Sequence, residues 1–191
     1  MRLVGKVGAI GAVAAALVLV AGCGSSDSKS DNKTDTSAAS TSAKPAQTFT
    51  VALPQADGKD CTITVTGGFG EAPGITLPDG CTPPTELFTK DLVTGTGPAA
   101  AAGQQLSTNY TLITWSDKKK LDSSFSRGQT FDLTLGAGQV IKGWDQGLVG
   151  ITQGTRRLLV IPPNLGYGQG GHGIKPNETL VFVTDAVKVG S

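Results

Sequence analysis

Five aromatic side chains carry the clearest hint of chemistry in this chain. The sequence holds six Phe, two Tyr and two Trp in 191 residues. Tyr110, Phe131, Trp144, Tyr167 and Phe182 stand in the contexts TNYTL, GQTFDL, VIKGWDQGL, NLGYGQGG and TLVFV. Each lies at a strand end or a Gly-rich turn, so together they can line a small apolar pocket. Taken singly, an aromatic residue is more often core than ligand site, and it is their joint placement that argues for a pocket. Other chemistries find less support. His172 is the only histidine and lies in a Gly-rich loop, where an exposed loop residue is the favoured reading. Without a second His or a suitable Cys it makes no zinc site, and no metal is expected. Ser123 and Ser124 have no GxSxG context, so a hydrolase is disfavoured. Asp122 before two serines also reads as a turn or cap, and the lysines at 118–120 as a solvated hairpin tip.

The elements that must position these residues are mostly strands. ELFTKDLV, QLSTNYTLITW, QTFDLTL, TRRLLVIP and TLVFVTDAVKV have strand length and β-branched composition. One helix is expected, over residues 142–149, KGWDQGLV. Gly143 and Gly147 weaken it intrinsically, so burial of Trp144 and Leu148 must hold it. Upstream, FTVAL and CTITVTG alternate apolar and polar residues between Pro- and Gly-rich turns. Residues 49–82 therefore read as a small β extension packed against the main domain, too short for a core of its own.

The N-terminal residues read as an export signal. Residues 1–6 carry Arg2 and Lys6, and an apolar run of small residues follows to position 21, short for a membrane span. The run ends in Val20-Ala21-Gly22-Cys23, which resembles the lipobox of bacterial lipoproteins. That resemblance implies a leader over 1–22, lipid attached to Cys23, and an extracytoplasmic domain held to the bacterial cell membrane. Residues 23–48 continue as a Ser/Thr-rich polar segment that reads as a disordered tether. Outside the cytosol the remaining Cys61 and Cys81 read as a disulfide, closing a loop for a gain of about 3 kcal/mol. A metal site at two isolated cysteines is the weaker alternative. The formal charge is +1 for the chain, a balance that predicts no nucleic-acid binding.

Read in order, KDLVTGTG, LDSSFSRGQTFDLTLGAGQVIKGWDQGLVG, RRLLVIPPNLGYG and IKPNETLVFVTDAV resemble the FKBP family of peptidyl-prolyl isomerases over more than half of the chain. The resemblance implies an α+β fold for residues 83–191, an antiparallel sheet half-wrapped around one short helix. It implies a pocket floored by Trp144 and walled by Tyr110, Phe131 and Phe182. Val140 and Ile141 would contact ligand just before the helix, the latter through its N–H. Asp122 and Tyr167 would be the polar groups, with Arg127 bracing the carboxylate and Ile174 on the loop over the pocket. In catalytic terms Tyr110, Asp122, Tyr167 and Phe182 would act on the substrate, with the remaining residues binding it. The chain departs from the family pattern at Leu121, where active members commonly carry Phe, and at Leu112, Trp115 and Lys175.

The implied activity is cis-trans isomerisation of X-Pro bonds in exported polypeptides, without metal, cofactor or covalent intermediate. The implied state is a monomer, with macrolides as further ligands. The alternative expectation is a low-activity module that binds proline peptides in a chaperone-like role, with Leu121 as the discriminating residue.

Overall fold

The computed structural model describes residues 46–55 and 58–190. The expected leader, Cys23 and almost all of the expected tether lie outside these residues. Among the described residues the order of elements begins with β1 (Thr48–Ala52), β2 (Thr62–Thr66) and β3 (Gly74–Thr76). These form a three-stranded antiparallel sheet in that order. There follow β4 (Phe88–Val93), β5 (Gln105–Thr114), β6 (Lys120–Ser123), β7 (Phe131–Thr134), helix α1 (Lys142–Gly147), β8 (Arg156–Ile161) and β9 (Leu180–Val189). They build an antiparallel sheet in the order β4-β8-β9-β5, and both β6 and β7 pair along the outer edge of β5.

Strands β8 and β9 carry apolar side chains on both faces because both faces are covered. Side chains alternate across a strand, and on β9 Leu180, Phe182 and Ala186 join one buried cluster while Val181 and Val183 join another. Strand β8 divides in the same way, Leu159 and Ile161 against Leu158 and Val160. The first cluster lies under α1, through Trp144 and Leu148. The second is completed by Val51, Leu53, Ile63, Val65 and Leu77 of the N-terminal sheet. The extension has no core of its own and shares that of the back face.

Helix α1 is two residues shorter than the sequence suggests, ending at Gly147. Its glycines have a packing reason. A Cβ on Gly143 would stand 2.3 Å from the Ile161 side chain, and one on Gly147 would stand 2.5 Å from Leu159. The helix backbone therefore lies directly on β8. Arg157 donates to the carbonyls of Gly147 and Val149 at 2.9 and 3.0 Å, which satisfies the helix C-terminus.

Two short strands escaped the sequence pattern. In β3, Gly74 pairs with Thr66, although Pro73-Gly74 reads as a turn. In β6, Lys120 to Ser123 pairs with β5, although the lysine run and the Asp-Ser-Ser sequence read as hairpin tip and cap. Strand β1 begins at Thr48, and the Gln47 carbonyl accepts from Gly67 N–H at 2.8 Å, so the ordered extension reaches further back than residue 49. The expected Cys61–Cys81 disulfide is formed.

Candidate active site

Strand β5 presents Tyr110 beneath the pocket, and α1 presents Trp144 from its first turn. The indole is 3 % exposed and its ring makes edge-on contacts with three neighbours. The Tyr110 and Phe182 centroids lie 5.3 Å from that of Trp144, at 89° and 74°, and Phe131 lies at 5.9 Å and 86°. Edge-to-face packing of this kind fixes ring orientation and leaves the ring faces to line a depression. Its volume is about 230 Å³. Leu112, Gln139, Val140, Ile141 and Tyr167 complete the lining with Asp122. Phe131 opens β7 at the rim and is 36 % exposed.

The polar side of the pocket is a three-residue brace. Tyr110 Oη donates to Asp122 Oδ2, and Arg127 Nη1 pairs with Asp122 Oδ1. Arg127 Nη2 also donates to Tyr110 Oη at 3.1 Å, and Ser123 N–H donates to Asp122 Oδ1 at 2.7 Å. Partial burial opposes ionisation of Asp122, but the Tyr110, Arg127 and Ser123 donors outweigh it and hold the carboxyl below the usual carboxylate range. Burial first, then the bond to the Asp122 carboxylate, pushes the Tyr110 hydroxyl above its ordinary value. Arg127 reaches the brace from a 3-10 turn, Ser124–Arg127, that follows β6 directly. The serines after Asp122 anchor it from behind: Ser124 Oγ accepts from Tyr110 N–H at 2.9 Å, and Ser123 Oγ meets Thr111 Oγ1 at 3.0 Å.

The residues expected from the sequence divide into two groups. Tyr110, Asp122, Phe131, Val140, Ile141, Trp144, Tyr167 and Phe182 converge on one depression. Leu121 and Ile174 are not among the residues that line it, and both pack with the cluster that holds the pocket aromatics, Ile174 being 8 % exposed. Arg127 acts through Asp122 and Tyr110. Trp115 does not fill the pocket, because it packs with the cluster on the back face.

Two contributors were not singled out from sequence. Gln139 lines the pocket, and its Oε1 accepts from Thr134 N–H at 2.9 Å. Asp145 accepts from Gly136 and Gly138 N–H at 2.8 and 3.1 Å, which braces the loop that delivers Val140 and Ile141. The acidic position in the first helical turn was the available signal for Asp145.

Donors at the pocket without a hydrogen-bond partner among the described residues include the Ile141 N–H, the Tyr167 hydroxyl and the buried Trp144 Nε1–H. The first two can meet a ligand carbonyl. No group of three or more His, Cys, Asp or Glu is placed to hold a metal among the described residues.

Known proteins supply the remaining comparison. The family model for FKBP-type peptidyl-prolyl cis-trans isomerase matches residues 97–186. An FK506-binding protein of Streptomyces anulatus is 47% identical over 122 residues, covering 62% of this chain and 98% of that protein. An FK506-binding protein of Neisseria meningitidis serogroup B is 43% identical over 106 residues, covering 54% of this chain and 95% of its own length. Among solved structures, AtFKBP13 superposes with a TM-score of 0.51 at 35% identity, covering 56% of this chain and 94% of that one. FkpA from Escherichia coli gives 0.51 at 37% identity, over 55% of this chain and 48% of its own. The family model spans the aromatic depression from Tyr110 to Phe182, two relatives are matched along nearly their full length, and the chain belongs to the FKBP-type peptidyl-prolyl cis-trans isomerase family.

Proposed function

We propose that this protein is exported, is anchored to the bacterial cell membrane by lipid on Cys23, and accelerates X-Pro rotation in exported polypeptides as they fold. The observation that carries the catalytic part is the Trp144 floor within edge-on Tyr110, Phe131 and Phe182. Amide resonance sets a barrier of roughly 18–20 kcal/mol against rotation, though cis and trans differ little in energy. A twisted amide has lost its resonance and carries less charge on its carbonyl oxygen. It therefore suffers less than the planar form when moved from water to an apolar surface. The pocket offers that surface for a prolyl ring, with the Ile141 N–H and the Tyr167 hydroxyl to hold neighbouring carbonyls. Each thousandfold acceleration needs about 4 kcal/mol of preference for the twisted state.

Export and anchoring rest on the charged start, the apolar run and Val20-Ala21-Gly22-Cys23. Relatives are named for FK506, and the same depression is the place for such a macrolide in this chain.

The deciding assay is protease-coupled or NMR exchange kinetics on a Suc-Ala-Xaa-Pro-Phe series. Acceleration that FK506 abolishes is expected, together with a rise in melting temperature on FK506 addition. A folded protein with no acceleration would remove the enzymatic reading. If it still bound proline peptides, it would support a chaperone-like binding module, which Leu121, with no ring to offer the substrate, favours. For the anchor, Cys23→Ala is expected to move the protein from the membrane fraction to the soluble one. Retention equal to wild type would overturn lipid attachment at Cys23.

A further inference from the structure

We propose that Glu178 and Ser116 are positioning residues for the pocket, clamping the loop that carries Tyr167 and Ile174 to a strut built on the N-terminal extension. The loop runs from Gly166 to Asn177 and closes on itself. Asn177 N–H donates to the Gly168 carbonyl at 2.8 Å, and Gly171 and Ile174 exchange backbone hydrogen bonds at 3.0 and 2.9 Å. Glycine is required inside it: Gly170 has φ +95°, and a Cβ there would stand 2.8 Å from the Ile174 carbonyl oxygen. At its start the loop is tied to the turn after β8, where Gly166 and Gly168 N–H donate to the Pro163 carbonyl at 3.0 and 2.9 Å, and its far end at Ile174–Asn177 needs a separate anchor.

The fixing contact lies one residue past the closure. Glu178 is 5 % exposed, and its carboxylate accepts from Ser116 N–H at 2.8 Å and Ser116 Oγ at 2.6 Å. Charge-assisted bonds to a buried carboxylate are among the stronger contacts in a fold. Trp115 N–H adds a bond to the Thr179 carbonyl at 3.0 Å. Ser116 lies on the turn between β5 and β6, and that turn is tied in both directions. Asp117 accepts from Lys175 at 3.1 Å on the loop side, and Lys118 pairs with Asp79 on the extension side. These two ion pairs are exposed and contribute little alone. Trp115 contributes more, since its ring packs into the cluster that the extension shares with the sheet. A continuous path therefore runs from the extension core through Trp115, Ser116, Glu178 and Asn177 to Gly168, the residue after Tyr167.

The consequence concerns substrate engagement. Tyr167 is the loop's contribution to the pocket lining, so a displaced loop moves its ring and hydroxyl and weakens both peptide affinity and the turnover of bound peptide. Misplacement by about 1 Å can cost on the order of a hundredfold in rate.

The inference rests on the isomerase reading, and its test separates the two. In the full chain, Glu178→Leu removes both acceptors, whereas Glu178→Gln keeps an acceptor for Ser116 N–H and a donor for its Oγ. Glu178→Leu is expected to lower kcat/KM about tenfold, in line with a partial loop displacement, with Glu178→Gln restoring most of it. Ser116→Ala is expected to fall between them. The second readout is the Ile174 δ1-methyl NMR shift and the Tyr167 ring shifts, which should move in Glu178→Leu while those of Trp144 and Phe182 stay in place. An inactive wild type with these shifts moving would sink the isomerase reading and keep the clamp. Unmoved shifts at Ile174 and Tyr167 in a folded Glu178→Leu variant would overturn the clamp whatever the activity. Should Glu178→Leu fail to fold, Ser116→Ala carries the same two readouts.

Discussion

At the scale of single residues, the pocket is held in one protonation state over a wide range of pH. The Asp122 carboxyl lies below its ordinary value of 3.8, so its contribution is complete above that value and is lost only as pH falls through the lowered one. The Tyr110 hydroxyl lies above its ordinary value of 10.0, so its donor bond is complete below that value and is lost as pH rises through the raised one. The kcat/KM for a neutral peptide is therefore expected to be flat between about pH 5 and 9. A limb inside that window, measured by NMR exchange to avoid the coupling protease, would show that another group controls the pocket. Leu121 supplies the second prediction. Because it sits beside Asp122 and packs on the core without lining the opening, Leu121→Phe adds ring surface at the edge of the site and is expected to raise kcat/KM several-fold. An unchanged or lowered rate would mean that the ring cannot reach the substrate. The aromatic residues of the site were legible in sequence because their types are scarce and their turn contexts specific. Gln139 was not, since an amide in a Gly-rich loop carries no periodic signal and its role depends on where Thr134 stands.

At the scale of elements, the least sequence-like feature is a helix with two glycines in six residues. Propensity alone argues that Gly143→Ala should stabilise α1 by up to about 1 kcal/mol. Packing argues the reverse, because the new Cβ would stand 2.3 Å from Ile161, which is fully buried and has no space to yield. Overpacking of this kind costs about 1–3 kcal/mol, and pushing α1 off β8 also lifts the Trp144 floor. Gly143→Ala is thus expected to lower the urea midpoint and weaken FK506 binding together; a higher midpoint would show that helix propensity wins. The long strands were legible from β-branched runs, and α1 from KGWDQGLV with Trp144 and Leu148 to bury. Strand β6 was not legible, because four residues reading KLDS carry no alternation, and only their pairing with β5 makes them a strand.

At the scale of the whole molecule, the extension and the larger sheet are joined through a buried ion pair as well as a shared core. Arg156 and Asp185 are both fully buried, bonded at 2.6 and 2.8 Å through Nε and Nη2. The turn after β2 completes their hydrogen bonding. Arg156 donates to the carbonyls of Gly67 and Glu71 at 2.6 and 2.5 Å, and Gly70 N–H donates to Asp185 Oδ2 at 2.7 Å. In sequence these are an ordinary basic residue in TRRLLV and an acidic one in VTDAV. Nothing local reveals that they face inward, because the cover over them comes from residues 67–71, more than eighty positions away. Breaking the pair with Asp185→Leu strands a buried guanidinium and is expected to cost about 3–5 kcal/mol. Adding Arg156→Met removes that stranded charge, and in many proteins such an apolar pair restores stability. Here it should restore only part, because the Gly67 and Glu71 carbonyls and the Gly70 N–H lose their partners at about 1–3 kcal/mol for each group left buried and unmet. Urea denaturation of the three variants decides the matter: a double variant as stable as wild type would mean that residues 67–71 find water instead, and that the ion pair does not hold the extension to the sheet.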